Sequence, residues 1–171
     1  MGKIRIFSLM ASLLVMQMLV AQNPAISTRY SNSEVARMIE QFRLANSHDT
    51  FPPSSLQQKF RADFPNARDV EWETGGGIFE VEFKIRSRDF KAFYDRDGNL
   101  LMVMEEIRSF GLPAIVRNAA ETRHPKFRFD DVAKIRRGTE TIYKVEMKRA
   151  GVEVKMLIRS DGTILEERFD Y

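Results

Sequence analysis

The chain has 171 residues, 43% hydrophobic and 30% charged, with no Cys, two His and a formal net charge of +3. That balance fits a globular chain and excludes a disordered tail or a fibre. The absence of Cys excludes disulfides, thiolate zinc sites, thiol nucleophiles and a lipidated N-terminal Cys, and two His leave little for a His-based metal site or relay.

Residues 1–21 read MGKIRIFSLMASLLVMQMLVA. Lys3 and Arg5 form a basic n-region, Ile6 to Val20 an apolar stretch, and Ala21 offers a small residue before Gln22. This is the layout of a secretory signal peptide cleaved after Ala21. The rival reading is a membrane anchor, but the apolar run of about 15 residues is short of the roughly 18 to 20 that a spanning helix needs. Removal leaves 150 residues with 25 basic and 24 acidic side chains. Such a balance gives no clustered basic face for nucleic acid. The expectation is a periplasmic or secreted protein with no stable membrane span after cleavage, independent of oxidative folding. The remaining length suffices for an unstapled core.

Gln22 to Arg29 is polar and reads as a flexible linker. Ser31 and Glu34 have capping-box spacing. Val35, Met38, Ile39, Phe42 and Ala45 share one helical face, which predicts an amphipathic helix over residues 33–45. Such a stripe packs on the domain body or docks a partner, and the first is the commoner use. Asn46 to Pro53 reads as a loop in which His48 beside Asp49 is solvated.

A pattern then occurs twice. Pro53 opens a short helix with Leu56, Phe60 and Phe64 that ends at Pro65; Pro113 opens another with Ile115, Val116 and Ala119 that ends at His124-Pro125. After the first, Val70 and Trp72 alternate with Glu71 and Glu73, and Gly75-Gly76-Gly77 turns the chain. Phe79, Val81, Phe83 and Ile85 then alternate with Glu80, Glu82, Lys84 and Arg86, a period of two. Phe90 to Asp95, a turn at Asp97-Gly98 and Leu100 to Ile107 complete the unit. In the second copy Tyr143 answers Phe79, Val154 answers Phe90 and Asp161 answers Asp97, each 64 residues on. This constant offset argues for duplication of a helix-plus-meander unit. The predicted fold class is α+β: two tandem helix-plus-antiparallel-meander repeats in a two-layer sandwich, preceded by an N-terminal amphipathic helix. The sheet face away from the helices is expected to be wet.

The first copy, FPNARDVEWE…IFEVEFK…FKAFYDRDGNLL, closely resembles the PepSY-like family named for its similarity to beta-lactamase-inhibitor proteins. The second, LPAIVRNAAETRHP…IYKVEMK…VEVKMLIRSDGTIL, fits it more loosely, and together they cover residues 52–169. The resemblance implies small exported proteins, largely from Bacteroidota, built from helix-then-antiparallel-sheet repeats and without catalytic residues. It divides the chain into a signal peptide (1–21), a linker and helix (22–51) and PepSY-like repeats at 52–108 and 109–171. Its pattern residues are Pro, aromatic and turn positions, and no inhibitor contact loop matches this sequence. Lactamase inhibition is therefore not carried over.

The chemistry-bearing candidates are few. Asp95, Asp97, Asn99 and Glu106 fall at calcium-loop positions 1, 3, 5 and 12, but Leu100 stands where the sharp bend needs Gly, and the stretch reads as a hairpin. Glu71/Glu73 and Glu80/Glu82 are paired acids on one strand face, which a carboxylate-dependent hydrolase acting on envelope glycans requires and a solvated face also shows. No nucleophile elbow, P-loop or dinucleotide motif occurs. His124 reads as a helix C-terminal residue. Phe93 breaks the polar alternation and, with Leu157, reads as an exposed apolar anchor. The expected function is a non-enzymatic binding or inhibitory module that needs no cofactor or metal. Its partner-facing residues are Glu71, Glu80, Glu82, Lys84, Lys91, Phe93 and Leu157, and its partner is an envelope or extracellular protein or peptide. The alternatives are an enzyme using the sheet-face carboxylates and an assembly protein using the N-terminal helix.

Overall fold

The computed structural model describes residues 24–45 and 47–170, so residues 1–21, read from the sequence as a signal peptide, lie outside the described residues. In chain order the elements are α1 (Asn32–Leu44), β1 (His48–Asp49), α2 (Ser54–Asp63), β2 (Arg68–Gly75), β3 (Ile78–Ile85), β4 (Arg88–Asp95) and β5 (Leu100–Glu106). A 3₁₀ turn at Ser109–Gly111 leads into α3 (Ala114–Arg123), β6 (Arg128–Arg137), β7 (Glu140–Arg149), β8 (Val152–Arg159) and β9 (Ile164–Asp170). The nine strands form one antiparallel sheet in sequence order. The segment expected to be all loop thus contains a two-residue edge strand at His48–Asp49, paired to Thr74 and Glu73.

Pro53 and Pro113 occupy the N-cap positions of α2 and α3, where a missing N–H costs nothing. The residues before Pro65 and Pro125 leave the helical region in the same way: Phe64 at φ −133°, ψ 69° and His124 at φ −131°, ψ 68°. A following Pro disfavours the α conformation, which ends both helices. Ladder irregularities also correspond, between Arg68 and Glu71 and between Phe129 and Val132, then between Phe93 and Tyr94 and between Leu157 and Ile158.

Alternation along the strands sorts side chains onto two faces. On one face α2 sets Leu56, Phe60 and Phe64 against Val81, Phe83, Ala92 and Tyr94. The Phe60 ring meets Phe64, Trp72 and Phe83 at 5.5, 5.3 and 5.0 Å. Such edge and tilted pairs add about 0.5–1.5 kcal/mol each to area burial. On the same face α3 covers an aliphatic and Met core with Val116 and Ala120 buried; Ile115, expected in that stripe, points outward.

The opposite face is not simply wet. α1, closed at its start by the Ser31–Glu34 capping box, lies across its middle. Val35, Ile39 and Phe42 pack there on Ile78, Phe93, Leu101, Met102, Ile135 and Ile142. The molecule is therefore three layers deep at its centre and two elsewhere, because the α1 stripe and the break in sheet polarity satisfy each other. Nor is the stretch before α1 a free linker. The Ser27 N–H donates to Leu100 O at 2.7 Å, Ile26 packs on the aromatic core, and Tyr30 Oη donates to Asp95 Oδ2 at 3.1 Å.

The two helix-and-four-strand units differ in one measurable way. α2 and α3, and β2 and β6, start 60 residues apart, whereas β4 and β8, and β5 and β9, start 64 apart. The difference of four residues lies in one hairpin: β6 and β7 have 10 residues each, β2 and β3 have 8. The longer hairpin brings Ile135 and Ile142 under α1 and its turn against the first turn of the helix, where a Cβ on Gly138 would meet Asn32 Oδ1 at 2.6 Å.

Candidate functional site

The register turns the two sequence pairs of acids into a block of four. Glu71 stands opposite Glu82, and Glu73 opposite Glu80, across β2 and β3. Like charges directly opposite are unfavourable unless compensated. Lys91 on β4, opposite Glu82, provides that compensation: its Nζ donates to Glu80 Oε1 at 3.0 Å and also to Glu82. Ser47 Oγ donates to Glu73 Oε2 at 2.8 Å. Burial pushes the Glu80 carboxyl up, against the opposing pull of Lys91; the Lys91 hydrogen bond holds Glu82 below the usual range.

Where α1 leaves the face open over β2–β5, a groove of about 450 Å³ is lined by Asp69, Glu71, Glu82, Lys84, Asp89, Lys91, Met104 and Glu106, among others. Five carboxylates face two lysines in this lining. Partial burial pushes Glu106 up, and the charges of Asp131 and Asp89 push it further. The groove therefore favours an incoming positive group.

The residues expected to meet a partner are divided by this geometry. Glu71, Glu82, Lys84 and Lys91 share the acidic groove. Glu80 is 7% exposed and Phe93 2% exposed. Phe93 is the seat of α1, with its ring edge-on to Phe42 at 5.9 Å, so the reading of it as an exposed anchor is corrected. Leu157 is half-buried beside α1, in a second pocket over the other half of the sheet. Asp69, Asp89 and Glu106 belong to the acidic groove and were missed. Asp89 and Glu106 continue the period-two set of Lys91, so alternation held that signal. Asp69 carried none, because it sits in the β2 irregularity with φ 51°.

The second unit carries a ladder of ion pairs on this face. Lys148 Nζ lies 2.5 Å from Asp130 and 3.1 Å from Glu153; Lys155 Nζ lies 3.0 Å from Glu153 and 2.8 Å from Asp170. These lysines hold the Glu153 carboxyl down to about 2. Carboxylate oxygens of Asp130, Glu146 and Glu153 lie within 4.8 Å of one another, and lysine ammoniums already lie against all three. In the β4–β5 turn the Asp95 carboxylate accepts from Asp97 N, Asn99 N and Asn99 Nδ2 at 2.8–2.9 Å, so the calcium-like spacing serves the hairpin. His124 is less solvent-facing than a simple helix end: its Nε2 lies 3.2 Å from Glu167 Oε1, and its ring meets Phe127 at 5.2 Å.

No protein-family model matches the chain, and no curated protein matches it. Solved structures do. A DUF2874 family protein from Bacteroides uniformis superposes with a TM-score of 0.66 at 19% identity, over 70% of this chain and 90% of that one. A BLIP-like protein from Bacteroides fragilis gives 0.62 at 24% identity, over 70% and 87%. A protein from Bacteroides eggerthii, described provisionally as periplasmic, gives 0.66 at 16% identity, over 70% and 90%. Among the described residues no helix is long and apolar enough to cross a membrane. At these identities the likeness is one of architecture: the chain has the α+β, beta-lactamase-inhibitor-like fold of these Bacteroides proteins.

Proposed function

We propose that the protein is an exported, non-enzymatic binding module, built from two duplicated PepSY-like units, that receives a basic segment of an envelope or extracellular protein in its acidic groove. Export rests on the basic n-region and apolar stretch of residues 1–21 and accords with the description of the Bacteroides eggerthii neighbour. Duplication rests on the matched helix ends and ladder irregularities. The observation that carries the binding reading is the groove itself: five carboxylates against two lysines, on a face otherwise balanced by ion pairs or sealed by α1. Val35, Ile39 and Phe42 of the α1 stripe pack inside the chain, which weighs against an assembly role for that stripe.

Titration of a decalysine peptide tests this reading. It should bind the wild-type chain, weaken as salt rises, and bind about tenfold or more weakly to a Glu71→Lys, Asp89→Lys double variant. Equal binding by the folded variant, or none by the wild type, would overturn it. A second reading uses the same face for hydrolysis: Glu80 and Glu82 form a carboxylate pair joined by one donor, the Lys91 ammonium. Turnover of an envelope glycan that is lost in Glu80→Gln would establish that reading instead.

A further inference from the structure

The strands lie in sequence order, so among the described residues the sheet ends at β1 on one side and at β9 on the other. An edge strand presents backbone groups to a further strand, and edges are commonly blunted by shortness, a bulge, Pro or Lys. The first edge is blunted. β1 has two residues, and the part of β2 beyond it carries the ladder irregularity with Asp69 at φ 51°. The last edge is not. β9 has seven residues, ILEERFD, without Pro, Gly or Lys, and pairs with β8 in unbroken register from Glu166 to Asp170. The Arg159 N–H donates to Thr163 O at 2.8 Å, and antiparallel ladder bonds alternate along a strand. Leu157 and Lys155 therefore also turn their backbone groups to β9, where Glu166 and Arg168 answer them. Glu167, between those two, turns its N–H and C=O to the outer edge.

The side chains along this edge complement themselves. A two-fold axis normal to the sheet at Glu167 sets Glu166 of each copy opposite Arg168 of the other. It also sets Leu165 opposite Phe169, side chains 40% and 42% exposed. Opposite charges and apolar pairs across strands are favourable, like charges are not. An axis at Glu166 sets that acid against itself, and an axis at Arg168 sets Arg168 against itself and Glu166 against Asp170. In the favoured register the one like pair is Glu167 with its copy. That charge is matched within each copy by α3, with Arg123 Nε at 2.7 Å and His124 Nε2 at 3.2 Å from the Glu167 carboxylate.

We infer that β9 is a homodimer interface, in which two copies pair β9 to β9, antiparallel about Glu167, and join two nine-stranded sheets into one. The contact closes on itself, so association stops at the dimer. One strand pair falls below the standard interface of about 1,200–2,000 Å², so the dimer is reversible in the micromolar range. The acidic groove over β2–β5 lies toward the other end of the sheet, and either assignment can fail without the other.

Sedimentation equilibrium of the wild-type chain from about 5 to 500 μM tests the inference, with a monomer–dimer equilibrium and mostly dimer at the upper end as the expected result. Glu166→Arg and Arg168→Glu each set like charges at both cross-strand positions, and each should weaken the dimer at least about tenfold. The two variants are complementary to one another, so their equimolar mixture should form a heterodimer about as tight as the wild-type dimer. Circular dichroism checks that each has folded, and if one has not, loss of the dimer in the other decides. Amide exchange at Glu167 in the wild type should slow as concentration rises. A monomer at every concentration, oligomers beyond the dimer, undiminished association in a folded variant, or a mixture no tighter than its components would overturn the assignment.

Discussion

Phe93 and Glu80 face each other across β3 and β4, and each is defined by what lies over it. Alternation alone marked Phe93 as a break in a polar row but could not say whether solvent or a helix met it; the Phe42 ring at 5.9 Å answers that. Phe93→Ala should therefore lower folding stability by about 3–5 kcal/mol in denaturant unfolding, as a core deletion does. A loss within about 0.5 kcal/mol, as at an open surface, would contradict its place under α1. Glu80 is a buried acid whose carboxyl is pushed up. A carboxyl raised on folding favours the folded state below its unfolded pKa, and that contribution is lost as pH rises through the folded value. Glu80→Gln carries no such loss, so its melting temperature relative to wild type should rise from about pH 4 to pH 7. A relative melting temperature that falls over that interval would mean that the Lys91 bond outweighs burial.

At the scale of elements, the period-two strands, the Pro-bounded helices and the capping box were legible because they are local. The step in offset from 60 to 64 was also present in the spacing, but its use was not. Only in three dimensions do two extra residues on each of β6 and β7 become a platform for α1. The anchoring of residues 24–30 was illegible for the same reason, since its partners Leu100 and Asp95 are some 65–73 residues away in sequence. Glycine substitutions separate the platform from the turn. Gly138 and Gly151 both have positive φ, at 55° and 86°, but a Cβ on Gly138 meets Asn32 at 2.6 Å whereas one on Gly151 meets nothing within 4 Å. Gly151→Ala should cost only the backbone strain of about 1–2 kcal/mol. Gly138→Ala should cost more and also speed hydrogen exchange in the first turns of α1. Equal costs with unchanged α1 exchange would contradict the docking of α1 on this hairpin.

At the scale of the molecule, one sheet is covered by α2 and α3 behind and by α1 in front, and the front layer divides the remaining surface. An acidic groove is left over β2–β5 and a basic-rimmed apolar pocket over β5–β9. The sequence carried the acids and lysines of the first through Glu71, Glu82, Lys84 and Lys91, which alternation put on one face. It could not show that α1 would withdraw Glu80 and Phe93 from that surface, because the same stripe serves equally for docking a partner or the chain's own sheet. The central claim is that the open acidic groove, and not the centre of the face, meets a partner. Backbone amide NMR during titration with decalysine tests it most directly. The account predicts shifts that saturate at Asp69, Glu71, Glu82, Lys84, Asp89 and Glu106, with α1 and the residues beneath it unmoved. Shifts centred on α1 and Phe93, or on α2 and α3, or none at saturating peptide, would contradict it.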